Sequence, residues 1–324
     1  MGKLQEALLE RTSNLAPGLH FSLCRLDLHC WMVNEFNQVS AFCGQSGAAK
    51  QLLKLVHCIM TDLAPKLESS NLSDELDDSN FEPIELTEAS EYLFDALISP
   101  FESELVPKAP LHIYCHSPAL LRVPWSLLQS TSENSVPLFE RYRLSILPGH
   151  ATVAASGKCD KCKFKRIQTW DTKGEVADEL TDSVFISNET ELESELKLTN
   201  LACLSFKNHE SSCSVQLAER RVAPSSLFRS DLDLSHLDLI ILDNPGAASA
   251  EVASVLLSRG VKCVFYPLWQ LPRTAVRDLI GMMEDKLESQ HPINAIQEIQ
   301  FTQKNGKRFK DPSFWSAWVP IVSH

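Results

Sequence analysis

LDLIILDNPGAASAEVASVLLSRGVKCVFYPLW, residues 237–269, decides how the chain folds. Leu237–Leu242 and Val261–Tyr266 are apolar runs of strand length, and Ala250–Ser258 between them reads as a helix. The alternation continues on both sides, with Leu201–Phe206 a strand before it and Ala275–Leu287 a helix after it. Strand, helix, strand, helix in that order predicts an α/β fold with a mostly parallel sheet covered by helices on both faces.

Working back toward the N-terminus, a polar interval at residues 156–165 separates two halves, 1–155 and 156–324. In the first half, Leu4, Leu8 and Leu15 suggest an amphipathic helix stopped by Pro17-Gly18. LHFSLCRLDLHCWMV, residues 19–33, reads as strand, NEFNQ, residues 34–38, as a hairpin turn, and Val39–Phe42 as the returning strand. Helical spacing runs from Lys50 to Leu63, and a second helix is expected over Glu91–Phe101, ended by Pro100. Leu111–Cys115 and Arg143–Pro148 are read as strands. No internal repeat is found.

Charge is unevenly placed. No Lys or Arg lies between Lys66 and Lys108, whereas twelve of the 42 acidic residues do, from Glu68 to Glu104; the remainder balances the 30 bases. The net charge of −12 is therefore local, and residues 68–86 read as an acidic flexible loop. No broad basic face is left for nucleic acid; the short KNGKRFK stretch, Lys304–Lys310, reads as a solvated loop. No apolar run is long enough to span a bilayer. The N-terminus lacks a secretory pattern, and Glu6 stands where a myristoylation motif needs Ser or Thr. The expectation is an intracellular, cytoplasmic protein, with the nucleus left open. Ten cysteines scattered through apolar stretches, among them Cys24, Cys30, Cys58, Cys203 and Cys263, read as reduced and mostly buried thiols.

Several motifs fall in the same order as in a known family. EYLFDALISPFESEL (91–105), LHIYCHSPALLRVPWSLL (111–128), LFERYRLSILPG (138–149), LDLIILDNPGA (237–247), AEVASVLLSRGVKCVFYPLW (250–269) and PSFWSAWVPI (312–321) are collinear with the segments of CHAT domains, relatives of caspases and separases. The chain resembles that family over roughly residues 19–322. The resemblance implies a caspase-like sheet flanked by helices in the second half. It implies a first half related to the CHAT and separase pseudo-protease subdomains. The family's tetratricopeptide repeats do not appear, so a terminal piece of a longer chain is the expectation.

The resemblance also implies a His–Cys dyad at the C-terminal ends of two neighbouring parallel strands, the usual place for chemistry in such a sheet. Its histidine motif matches LSFKNHE and places His209 there, but the following glycine is replaced by Glu210. A carboxylate beside a developing oxyanion opposes catalysis. The cysteine motif aligns Pro245 with the nucleophile, flanked by Asn244 and Gly246, and no Cys, Ser or Thr lies between Leu242 and Ala248. Proline supplies neither a side-chain nucleophile nor a backbone donor. No catalytic residue is therefore assigned, and no cofactor or metal.

Other candidates are weaker. Ser249 is a displaced nucleophile in one reading and the cap of the helix beginning near Ala250 in the other, which is preferred. Cys159 and Cys162 form a lone CDKC with only His150 near in sequence, short of the four ligands of structural zinc. Cys203 and Cys263 read as core and Cys213 as a loop thiol four residues past His209. Trp125, Trp269, Trp315 and Trp318 fall in core segments. The expected function is a catalytically inactive, pseudoprotease-like scaffold module that binds a protein partner through the former substrate groove or the acidic loop. The rival is a peptidase using Ser249 or Cys213 with His209 as base.

Overall fold

The computed structural model describes residues 16–36, 38–63, 86–131, 136–148, 164–169, 183–206, 214–243, 248–271, 273–306 and 311–322. The opening-helix leucines, acidic residues 64–85, the CDKC and His150, and Lys307–Lys310 lie outside them. The chain divides into two compact units, Met1–Asp62 with Ile84–Val153 and Leu63–Pro83 with Ala154–His324.

In the first unit, residues 19–33 are two strands, not one: β1 (Gly18–Cys24) and β2 (Asp27–Val33) pair antiparallel. Arg25 adopts φ +57°, so the chain reverses in two residues at a place with no Gly, Asn or Asp to announce it. The expected turn at residues 34–38 is present. The Asn34 side chain accepts from the amides of Phe36 and Gln38, both at 3.0 Å, and β3 (Val39–Gln45) returns along β2. Helix α1 (Ala48–Leu63) leads away from β3. Helix α2 runs from Leu86 to Leu97, five residues earlier than the sequence suggested, and begins where the acidic loop was expected to end. Pro100 does not end it; it sits in the first turn of a 3-10 segment, Ser99–Glu104, where its missing N–H costs nothing.

β4 (Pro110–Cys115) then joins β1 in parallel, and β5 (Arg143–Pro148), preceded by the single turn α3 (Leu138–Arg141), joins β4 in parallel. The order is β3-β2-β1-β4-β5. Gly18 has φ +148°, and a Cβ there would stand 2.6 Å from the His112 carbonyl oxygen, so only glycine lets β1 start this close to β4. Phe21 meets Trp125 at 5.2 Å between ring centroids, and the Trp125 indole donates to the Leu120 carbonyl at 3.2 Å. Arg141 pairs with Glu102 while lying over the Phe94 ring at 5.4 Å.

The second unit carries the alternation from which the fold was read. Its strands are β6 (Lys165–Gln168), β7 (Ser183–Phe185), β8 (Leu201–Ser205), a separate hairpin of β9 (Val215–Leu217) and β10 (Arg220–Val222), β11 (Leu239–Asp243), β12 (Cys263–Pro267) and β13 (Trp318–Val322). The helices are α4 (Glu189–Leu196), α5 (Pro224–Leu227), α6 (Ser249–Ser258), α7 (Arg273–Leu287), α8 (Pro292–Asn305) and α9 (Pro312–Trp315). Sheet order is β13-β12-β11-β8-β6-β7, all parallel except the β12–β13 pair. The result is the α/β fold the sequence predicted, mostly parallel strands with helices around them.

Gly260 ends α6 at φ +95°, with Val261 N donating back to the Leu256 carbonyl at 3.3 Å, a left-handed cap. All four tryptophans assigned to the core are buried. Of the cysteines read as buried, Cys30, Cys203 and Cys263 are, whereas Cys24 is exposed beside the β1–β2 turn and Cys58 is half-buried.

Ile240 lies in β11 with 0% exposure, and Leu26 tops the β1–β2 turn at 63%. Ile240→Ala is expected to destabilise the protein by about 2–5 kcal/mol. Leu26→Ala is expected to stay within about 0.5 kcal/mol. Urea unfolding midpoints measured side by side test both.

Candidate functional site

β8 and β11 are neighbours in parallel register from Leu201↔Leu239 to Ser205↔Asp243, so they end together. Past their ends the pairing continues: Phe206 N donates to the Asp243 carbonyl at 3.0 Å, and the Ser205 hydroxyl donates to the Asp243 carboxylate at 3.0 Å. β6 is tied in as well, since the Thr169 amide and hydroxyl both donate to the Ser205 carbonyl, at 3.1 and 3.3 Å. Thr169 in turn accepts from Ala218 N at 2.6 Å, which anchors the β9–β10 turn at the same edge. The sequence did not single out Ser205 or Thr169; their role comes from register, which no local pattern encodes.

The segments 207–213 and 244–247 leave from this edge. His209, Glu210 and Cys213 in the first, and Asn244, Pro245 and Gly246 in the second, lie outside the described residues. Of the thiols and the serine considered from the sequence, the structure places Cys203 within β8, Cys263 at the start of β12, at the opposite end of the sheet from this edge, and Ser249 at the start of α6. Cys203 in β8 and Cys263 in β12 are 3% and 1% exposed. Loss of hydration drives both thiols far above their ordinary pKa, and the Asp243 carboxylate pushes Cys203 further the same way, against Arg166 and a Ser205 hydrogen bond. Neither supplies a thiolate. Ser249 is the first residue of α6 and is buried; the capping position is held by Ala248, not by Ser249, because the chain already turns helically at Ala248.

A second constellation, in the first unit, was not anticipated. His20 in β1 stands opposite Trp31 of β2 and Tyr114 of β4, and its ring is stacked between theirs at 5.5 and 4.3 Å. His116, just past β4, stacks on both His20 and Trp31, at 5.3 and 5.1 Å. For a neutral His20 the hydrogen bonds fix the tautomers. Ala16's carbonyl only accepts, so His20 Nε2–H donates to it at 2.9 Å, and His20 Nδ1 accepts from His116 Nε2–H at 3.0 Å. It is burial that holds His20 neutral and so selects this tautomer: loss of hydration lowers its pKa from 6.5 to about 4, the Ala16 bond opposes this, and His116 adds to it. The buried Trp31 Nε1, Tyr114 hydroxyl, His29 Nδ1 and His112 Nδ1 have no hydrogen-bond partner. Four ring residues from three strands meet here only because of strand register, and single-residue signals in the sequence could not have found them.

Among the described residues no group of three or more His, Cys, Asp or Glu side chains is arranged to hold a metal, and no helix is long and apolar enough to cross a membrane. No family model matches the chain, and no curated protein matches it. Solved structures do. In the crystal structure of the Saccharomyces cerevisiae separase–securin complex at 3.0 Å resolution, one chain superposes on 99% of this chain with a TM-score of 0.52 and 9% identity. A second crystal structure of that complex, at 2.6 Å resolution, aligns with 88% of the chain at 13% identity and a TM-score of 0.36. The present chain spans 30% of the length of the first matched chain. The molecule thus has the caspase-like α/β fold of its separase-complex neighbour.

Because the unfolded chain takes up a proton near pH 6.5 that native His20 refuses until about pH 4, stability is full above pH 6.5 and is lost as pH falls toward 4. The loss assigned to His20 is on the order of 3 kcal/mol. Urea unfolding at neutral and acid pH is expected to show a steeper acid loss for wild type than for His20→Phe; equal slopes would refute the neutral-His20 assignment.

Proposed function

We propose that the chain is a caspase-like domain without peptidase activity, a pseudoprotease of CHAT type that acts as a protein-binding scaffold. The observation that carries the reading is the absence of a usable nucleophile where the fold calls for one. No Cys, Ser or Thr occurs between Leu242 and Ala248, directly after β11. The described candidates do not substitute: Cys203 within β8 is a buried thiol held protonated, Cys263 is equally buried and lies at the other end of the sheet, and Ser249 is buried at the start of a helix. A nucleophile must be both reachable and activated by a base within hydrogen-bond distance.

A protein partner is supported by analogy. The fold neighbour was crystallised in a separase–securin complex, and a fold that holds extended peptides retains sheet edges able to pair with a partner strand. In this reading the segment carrying Glu210 and the segment carrying Asn244 and Pro245 flank the binding groove, and the acidic residues 68–86 attract basic surface on the partner.

A peptide-library assay on the purified chain is expected to give no cleavage; cleavage lost in His209→Ala would overturn the proposal in favour of a peptidase. For partner binding, Glu210→Trp combined with Asn244→Trp is expected to abolish capture of proteins retained by the wild-type chain, whereas deletion of residues 68–86 is expected to weaken capture mainly at low salt. Capture unchanged by both alterations would move the binding surface elsewhere.

A further inference from the structure

Two cysteines face each other across the β2–β3 pair: the register sets Cys30 directly opposite Cys43. The geometry follows from the hairpin next door. The two-residue turn at Arg25–Leu26 makes Cys24 and Asp27 a hydrogen-bonded pair, so along β2 the peptide groups of odd-numbered residues face β1 and those of even-numbered residues face β3. The far side of β1 agrees, because the Phe21 carbonyl, turned away from β2, accepts from His116 N at 2.8 Å. Cys30 and Cys43 are therefore a hydrogen-bonded pair with Cα atoms about 5.5 Å apart, inside the range disulfides span. Their Cβ atoms, roughly 4.5–5.5 Å apart in such a pair, must close by up to about an ångström to reach bonding geometry.

The two thiols differ in access. Cys30 is 0% exposed, whereas Cys43 is half-buried on β3, which ends the strand order of its unit. The Gln45 side-chain amide donates toward Cys43 Sγ at 3.9 Å. Burial and the neighbouring Cys43 together raise the Cys30 pKa well beyond the ordinary thiol value. Oxidant meets Cys43 first, and Cys30 waits beside it.

We propose that Cys30 and Cys43 form a reversible cross-strand disulfide under a peroxide oxidant, with Cys43 the attacking thiol and Cys30 the resolving one. In the first step Cys43 sulfur attacks one peroxide oxygen, the O–O bond breaks, and a sulfenic acid and water result. In the second, Cys30 sulfur attacks the Cys43 sulfur, the S–O bond breaks, and the hydroxyl leaves as water with the Cys30 proton. Two thiols and one hydrogen peroxide yield one disulfide and two waters. The strain of drawing a hydrogen-bonded pair together makes the bridge readily reducible, which suits a regulatory rather than a structural bond. Closing it pins the edge strand β3 to β2 and removes the freedom of that edge to part from its neighbour.

The test is peptide mapping of the native full chain after mild hydrogen peroxide, alkylating free thiols and cutting after Glu35, which separates the two cysteines. The expected product is a Cys30–Cys43 linked peptide, two hydrogens lighter than the sum of its parts, that reduced glutathione reopens. In Cys30→Ala a sulfenic-acid probe is expected to label Cys43, and in Cys43→Ala Cys30 is expected to stay unlabelled. Circular dichroism of each variant, with Cys30→Val as a second core replacement, separates misfolding from lost chemistry. Free thiols at both positions, a bridge from either to another cysteine, labelling of Cys30 in Cys43→Ala, or a bridge that glutathione leaves closed would each overturn the proposal.

Discussion

Leu239–Leu242 of β11 are wholly buried, so the strand's peptide groups have no water to bond and must find partners in the strands on either side. β8 and β12 supply them, both in parallel. Parallel pairing forbids a tight turn and requires a crossover, which α6 provides between β11 and β12. Because each crossover leaves from the C-terminal end of its strand, the segments following β8 and β11 emerge side by side. The joined ends of β8 and β11 are thus a consequence of satisfying backbone groups in an apolar strand.

The same burial that stabilises the sheet separates the presence of a thiol from the chemistry of one. Cys203 sits in the strand leading to the His209 segment, and in a water-filled groove it would be a plausible nucleophile. Packed at 3% exposure beside the Asp243 carboxylate, it is a small apolar side chain. Ser205, which does reach the edge, hydrogen-bonds Asp243 and joins the ends of two strands. In the described part of this edge, hydrogen bonding has gone to holding strand ends in register.

The first unit shows how much depends on pairing across strands. His20, Trp31 and Tyr114 are separated widely in sequence and share one row of the sheet. The next row carries Cys43, Cys30, Phe21 and Cys115. Side chains alternate between sheet faces along each strand, so one row is a stacked polar-aromatic array and its neighbour a line of thiols around a phenylalanine. A single-residue slip anywhere in β1–β3 would exchange their surroundings.

Apolar periodicity and breaker residues in the sequence determined the alternating strands and helices of the second half, the turn at residues 34–38 and the burial of the four tryptophans, because those signals act within a few residues and do not depend on what packs against them. The order of motifs likewise pointed to a mostly parallel α/β sheet flanked by helices, a fold that the chain shares with its separase-complex neighbour. The same local signals misread residues 19–33 as one strand, since Arg25 turns left-handed without a glycine, and missed α8 and the short strands β6 and β7. Tertiary structure alone decided which cysteines are inert and which face each other, why His20 stays neutral, and that Ser205, Thr169 and Asp243 tie three strand ends together. Those properties arise from exclusion of water and from register between distant segments, and neither quantity is written in any one stretch of the chain.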